Sequence, residues 1–146
     1  MKNTHRKILY FFGVNNRPNQ PAKLYQERCL HPKKVTVWCV FWANGIIGPY
    51  FFEFGAGNAV TVNAERYQSM LSDFLWPQLN HTDVSGLYFQ QDGATCHTTR
   101  ENVTFLRSKN FPQRVISRTA DFNWPPRSCD LTPVDFFLWG FLKNRV

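Results

Sequence analysis

Acidic residues are scarce in this chain of 146. Ten Asp and Glu stand against seventeen Lys and Arg, a formal charge of +7 with a pI near 9.5, and none of the ten precedes Glu27. A surplus of that sign favours a polyanionic partner, nucleic acid above all, with solubility alone as the other explanation. Cysteine is sparse and unpaired: Cys29, Cys39, Cys96 and Cys129 form no C-x-x-C motif. The spacing of Cys96, His97 and Cys129 fits no known zinc finger, so reduced thiols in an intracellular protein are expected. No uninterrupted apolar stretch reaches membrane length, because residues 35–54 are broken by Asn44, Gly45, Gly48 and Pro49. The short run at 8–14 is too brief for a signal-peptide core followed by a cleavage site. Repeats and low-complexity tracts are lacking as well, and 43% hydrophobic with 16% aromatic residues excludes disorder.

What is present reads as a mixed α/β chain. Residues 35–42 (VTVWCVFW) and 46–54 (IIGPYFFEF) flank Asn44-Gly45, a strong hairpin signal. Pro49 has no N–H for a ladder and places the second strand at a sheet edge. Asn63 is a helix cap, followed by Tyr67, Met70, Leu71, Phe74 and Leu75 at helical spacing, with Pro77 as the expected stop. Residues 86–91 (GLYFQQ) form a strand ending at Asp92-Gly93. Thr98 and Glu101 make a capping box for a helix over 99–109, and 114–118 form a short strand. A stiff loop around Trp124-Pro125-Pro126 leads to Thr132-Pro133 and a last helix whose aromatics, from Phe136 to Phe141, belong to the core. Strands joined through helices run parallel, so the sheet is mixed, with chemistry expected at the carboxyl ends of its strands.

Three acids occupy informative places: Asp92 after a strand, and Asp130 and Asp135 around the start of the last helix. Carboxylates brought together across a cleft need a cation between them, and hard oxygen ligands select Mg²⁺ or Mn²⁺. Each acid also has a purely structural reading. Asp92-Gly93 is a common turn pair, and Asp135 can serve the N-terminus of its helix. Spacing alone leaves both readings open.

Two segments carry a family resemblance. FQQDGATCHT at 89–98 and WPPRSCDLTPVDFFLW at 124–139 resemble the segments holding the second and third catalytic Asp of mariner-type transposases. Residues 35–39 and 46–53 also match strands of that family, and the likeness runs from about residue 23 to the end. It implies an RNase H-like core related to retroviral integrases, whose sheet opens with three antiparallel strands. In the family, three acids hold two metal ions about 3.5–4 Å apart for in-line displacement at a DNA phosphodiester. The resemblance makes Asp92 and Asp135 the retained catalytic and metal-binding acids, 43 positions apart, with His97 and Asp130 in support.

The first catalytic Asp of the family has no counterpart here, since nothing acidic precedes Glu27. The run at 7–14 resembles the stretch just after the first core strand. The expectation is therefore that this strand is truncated, with the Asp lying before Met1 and both ends of the family's chain cut short. Residues 1–34 are then a remnant of the first-strand region plus an irregular loop, and 35–146 a partial core. Without its first strand the sheet must fill a central gap, either with residues 8–14 or with a loose docking at one end. Arg100, Arg107, Arg118 and Arg127 are the expected phosphate contacts, along with Lys109 and Arg114. By resemblance the partner is DNA in the nucleus, no membrane is involved, and a homodimer is an assembly to test. The expected activity is none in strand transfer, with an incomplete Mg²⁺ or Mn²⁺ site; a non-catalytic DNA- or RNA-binding module and a decayed reading frame are the alternatives.

Overall fold

The structure, a computed structural model, describes residues 7–14, 36–43, 45–55, 58–109 and 111–125. Strand β1 (Lys7–Val14) is followed by β2 (Thr36–Trp42) and β3 (Gly45–Phe54), with the last two forming the hairpin expected around Gly45. Gly45 has φ +136°, a value that suits a residue without Cβ. The register slips between Trp38 and Val40, so that Gly48 and Pro49 of β3 together oppose Cys39 as a bulge in β3. Gly48 makes that bulge possible. Its φ is +126°, and a Cβ there would lie 3.0 Å from Cys39 Cβ and 3.1 Å from the Trp38 carbonyl.

A short β4 (Asn58–Ala59) pairs only with Glu53 and Phe54 at the far end of β3. Pro49 thus stands where β3 has no outer strand among the described residues, as its missing N–H requires. The remaining strands are β5 (Leu87–Gln90) and β6 (Val115–Ile116), and the six run in the order β4-β3-β2-β1-β5-β6. β1 is antiparallel to β2 and parallel to β5, and β6 is parallel to β5.

The central gap is filled by β1 itself. The strand expected to be cut short spans eight residues and pairs on both flanks, but the pairing is offset. Lys7 to Tyr10 match Leu87 to Gln90 on one side, whereas Tyr10 to Val14 match Phe41 to Val37 on the other. Tyr10 alone is joined on both sides.

Helix α1 (Ala64–Met70) begins where expected, with Asn63 Oδ1 accepting from the Arg66 N–H at 2.8 Å. Pro77, expected to close this helix, lies within it. A π-helical turn over Leu71–Leu75 leads directly into α2 (Trp76–Leu79), and the Trp76 N–H bonds to the Leu71 carbonyl five residues back. The wider turn spares the proline ring its clash with the preceding carbonyls, and Pro77 then sits in the first turn of α2, where no N–H is needed. Helix α3 (Arg100–Lys109) is capped by Thr99 rather than Thr98: the Thr99 hydroxyl accepts from Asn102 N–H at 3.3 Å, while Thr98 turns its hydroxyl to the Ala94 carbonyl.

Helices and sheet close over one apolar cluster that includes Trp38, Tyr67, Met70, Leu75, Phe89, Leu106 and Phe111. Each such side chain contributes about 1.5–3 kcal/mol by leaving water. Phe89 of β5 meets Phe111 at 5.2 Å between ring centroids, which anchors the strand that delivers Asp92. The last helix, its aromatics, Cys129 and the loop from residue 126 lie outside the described residues.

Candidate metal-ligand site at the end of β5

β5 is buried at three of its four positions: Leu87 and Phe89 lie in the core, Gln90 is wholly buried, and Gln91 and Asp92 follow the strand directly. Asp92 turns the chain by taking the Ala94 N–H on its Oδ1 at 3.0 Å, which is the structural use expected of an Asp-Gly turn. The same oxygen receives His97 Nδ1–H at 2.5 Å. His97 is buried, while the Asp92 side chain keeps 29% of its surface exposed. Both donors therefore crowd onto one carboxylate oxygen, and no described residue donates to the other.

This pair sets its own charge state. Burial opposes protonation of His97, yet the hydrogen bond and charge of Asp92, with help from Cys96, outweigh it and raise the imidazole from 6.5 to about 9. Burial likewise disfavours the Asp92 anion, but His97 and the Ala94 N–H reverse that and hold its carboxyl below the usual range. Around neutral pH the pair is an imidazolium–carboxylate, neutral overall. Tyr67 stacks on the His97 ring at 4.1 Å between centroids, and burial together with the nearby Asp92 charge pushes its phenol far up.

The residues that brace this loop are polar amides that composition and spacing do not single out. Gln91, fully buried, donates from Nε2 to the His97 carbonyl at 2.7 Å and to Ser117 Oγ at 3.2 Å. Its Oε1 accepts from Tyr67 OH at 2.9 Å. Asn102 of α3, also buried, donates to the Cys96 carbonyl at 2.7 Å and the Ala64 carbonyl at 3.0 Å. The signal available in the sequence was Gln90-Gln91 itself, two amides at the end of an apolar strand just before an acid.

The basic residues divide. Arg100 opens α3 directly after the loop, and Arg118 borders it: a methyl group on Gly93 would lie 4.0 Å from Arg118 Cδ. Both are exposed. Arg107 is held by Asp121 through Nε at 2.9 Å and a terminal nitrogen at 2.7 Å. Arg114 donates to the Val84 and Leu87 carbonyls at 2.8 and 3.0 Å, and to that of Ser85. Lys109 lies over the Trp76 and Phe105 rings. Arg127, Asp130 and Asp135 fall outside the described residues.

No protein-family model matches the chain, and no curated protein matches it. Solved structures do. The catalytic domain of the Mos1 mariner transposase superposes with a TM-score of 0.65 at 22% identity, over 97% of this chain and 60% of that one. The Mos1 paired-end complex with Mn gives 0.68 at 22% identity, over 97% and 42%. The fold is the RNase H-like fold of the mariner transposase catalytic domain. At this identity the likeness establishes the fold, and the chain spans about 60% of the length of the solved catalytic domains it matches.

Within that fold the described residues supply little to a cation. No group of three His, Cys, Asp or Glu side chains able to hold a metal exists among them. The part-exposed carboxylate of Asp92 is one hard ligand of the type Mg²⁺ and Mn²⁺ prefer, but His97 neutralises its charge. That fits one ligand of a site and not a complete one, so no reaction step follows from these residues. β1, next to β5, carries no acid at all.

Proposed function

We propose that the chain is the catalytic-core portion of a mariner-type DNA transposase that binds DNA without cutting it. In this reading Asp92 and Asp135 together hold one Mg²⁺ or Mn²⁺ weakly, and Arg100 and Arg118 contact phosphates beside them. Support comes from the fold and from the Mos1 structures, which include complexes with Mn and with Mg and a paired-end complex with a transposon end. The observation that carries the reading is the part-exposed Asp92 carboxylate, held at the carboxyl end of β5 through Oδ1 with no described donor on its other oxygen, beside a central strand without an acid. Paired-metal cleavage needs a bridging carboxylate, and the described strands offer none next to Asp92. A divalent cation held there would supply positive charge to a phosphate, with Asp92 as one of its carboxylate ligands.

The test pairs a binding with a nicking assay. The chain is expected to bind duplex DNA with a steep fall in affinity as salt rises, to lose affinity on Arg100→Ala and Arg118→Ala, and to leave supercoiled plasmid intact in Mg²⁺ or Mn²⁺. Metal-dependent nicking abolished by Asp92→Asn would overturn the inactive reading. The acid-free central strand also favours a plain nucleic-acid-binding module. That reading gains if Asp92→Asn and Asp135→Asn leave binding unchanged in the presence of Mg²⁺.

A further inference from the structure

We propose that Gln91 and Asn102 are positioning residues that fix His97, and through it the Asp92 carboxylate, by gripping two consecutive carbonyls of the loop between β5 and α3. Gln91 holds the carbonyl of His97 and Asn102 that of Cys96, each at 2.7 Å. Both amides also reach α1, Gln91 through Tyr67 OH and Asn102 through the Ala64 carbonyl. The bracket therefore ties the loop to β5, α1 and α3 at once, while Tyr67 closes over the imidazole face. With the backbone held at residues 96 and 97 and Tyr67 over its ring, the His97 side chain bonds Asp92 Oδ1, the oxygen that also takes the Ala94 N–H. Direct partners of a metal ligand, as His97 is of Asp92, are commonly worth about 10–100-fold in metal affinity, and Gln91 and Asn102 act through that partner, so about the lower end of that range is expected. Buried amides are costly unless paired, so a bracket of this kind is more than filler for the core.

The inference rests on Asp92 being a metal ligand, and the experiment separates the two. Mn²⁺ affinity is measured by electron paramagnetic resonance, and the His97 Nδ1–H proton is followed by nuclear magnetic resonance, in wild type, Gln91→Met, Asn102→Leu, Tyr67→Phe and Asp92→Asn. Expected are a downfield His97 proton in wild type, its loss or shift in Gln91→Met and Asn102→Leu, and a fall in Mn²⁺ affinity on the order of 10-fold or more. Tyr67→Phe, which deletes a single hydroxyl, is expected to lie between and carries the comparison if the harsher variants do not fold. Variants that melt earlier but keep the His97 proton and the Mn²⁺ affinity of wild type would overturn the positioning role. If Asp92→Asn binds Mn²⁺ as well as wild type, the metal reading fails instead. The His97 resonance then decides alone: its loss in Gln91→Met supports the bracket, and its persistence overturns it.

Discussion

Replacing Asp92 by Asn should make stability nearly indifferent to pH over a range where the wild-type chain is not. His97 titrates at about 9 in the folded chain against an ordinary 6.5. At about 1.36 kcal/mol per tenfold change in proton affinity, that gap corresponds to about 3 kcal/mol. The folded value is the higher one, so the stabilisation is whole below pH 6.5 and drains away as pH rises toward 9. Most domains have only about 5–15 kcal/mol in all, so the loss is large. Urea unfolding of both proteins at steps from pH 6 to pH 9 measures it. The wild type is expected to start about 3 kcal/mol above Asp92→Asn and to converge on it by pH 9. The scan stops there because burial holds the Cys39 thiol up at about 11, and its own contribution drains between 9 and that value. A gap between the two proteins that stays constant across the range refutes the buried ion pair.

Two further outcomes follow from the geometry. Gly48→Ala puts a methyl 3.0 Å from Cys39 Cβ at a backbone φ of +126° and should cost roughly 1–3 kcal/mol in thermal or urea unfolding. Asp121→Ala should cost more than Arg107→Ala, because Asp121 Oδ2 also accepts from the Val115 N–H at 3.0 Å. About 1–3 kcal/mol is expected for the first and under about 1 kcal/mol for the half-exposed arginine, read from paired unfolding curves.

Much of the framework was legible because it is written in local chemistry. Gly45 between two β-branched, aromatic runs forms a hairpin, and Asn63 before a helical apolar stripe caps a helix, whatever surrounds them. Where the outcome depends on which of two equivalent groups finds a partner, the chain gives less warning. Thr98 and Thr99 are chemically alike, and only the nearby Ala94 carbonyl decides that Thr99 is the cap. Pro77 carries a stop signal that a π turn upstream makes harmless, and nothing at Pro77 itself announces that turn. Asp92 and His97 were found from their motif and do meet. Gln91 and Asn102 were not found, since a buried amide earns its place through partners 24 to 38 residues away. Arg107, Arg114 and Lys109, expected as phosphate contacts, each have partners within the fold that the sequence does not announce. Asp130, Asp135 and Arg127 lie outside the described residues.

The offset of the central strand makes the sheet two ribbons sewn by one stitch at Tyr10. One ribbon holds the hairpin and its bulge; the other holds β5, β6 and the aspartate loop. The two ribbons still share one apolar core, in which Trp38 of β2 lies with Tyr67 and Phe89. Detachment of Lys7 to Leu9 strips β5 of its inner neighbour, so this short stretch of strand shares with the Phe89–Phe111 contact and the two buried amides the task of keeping the acid in place.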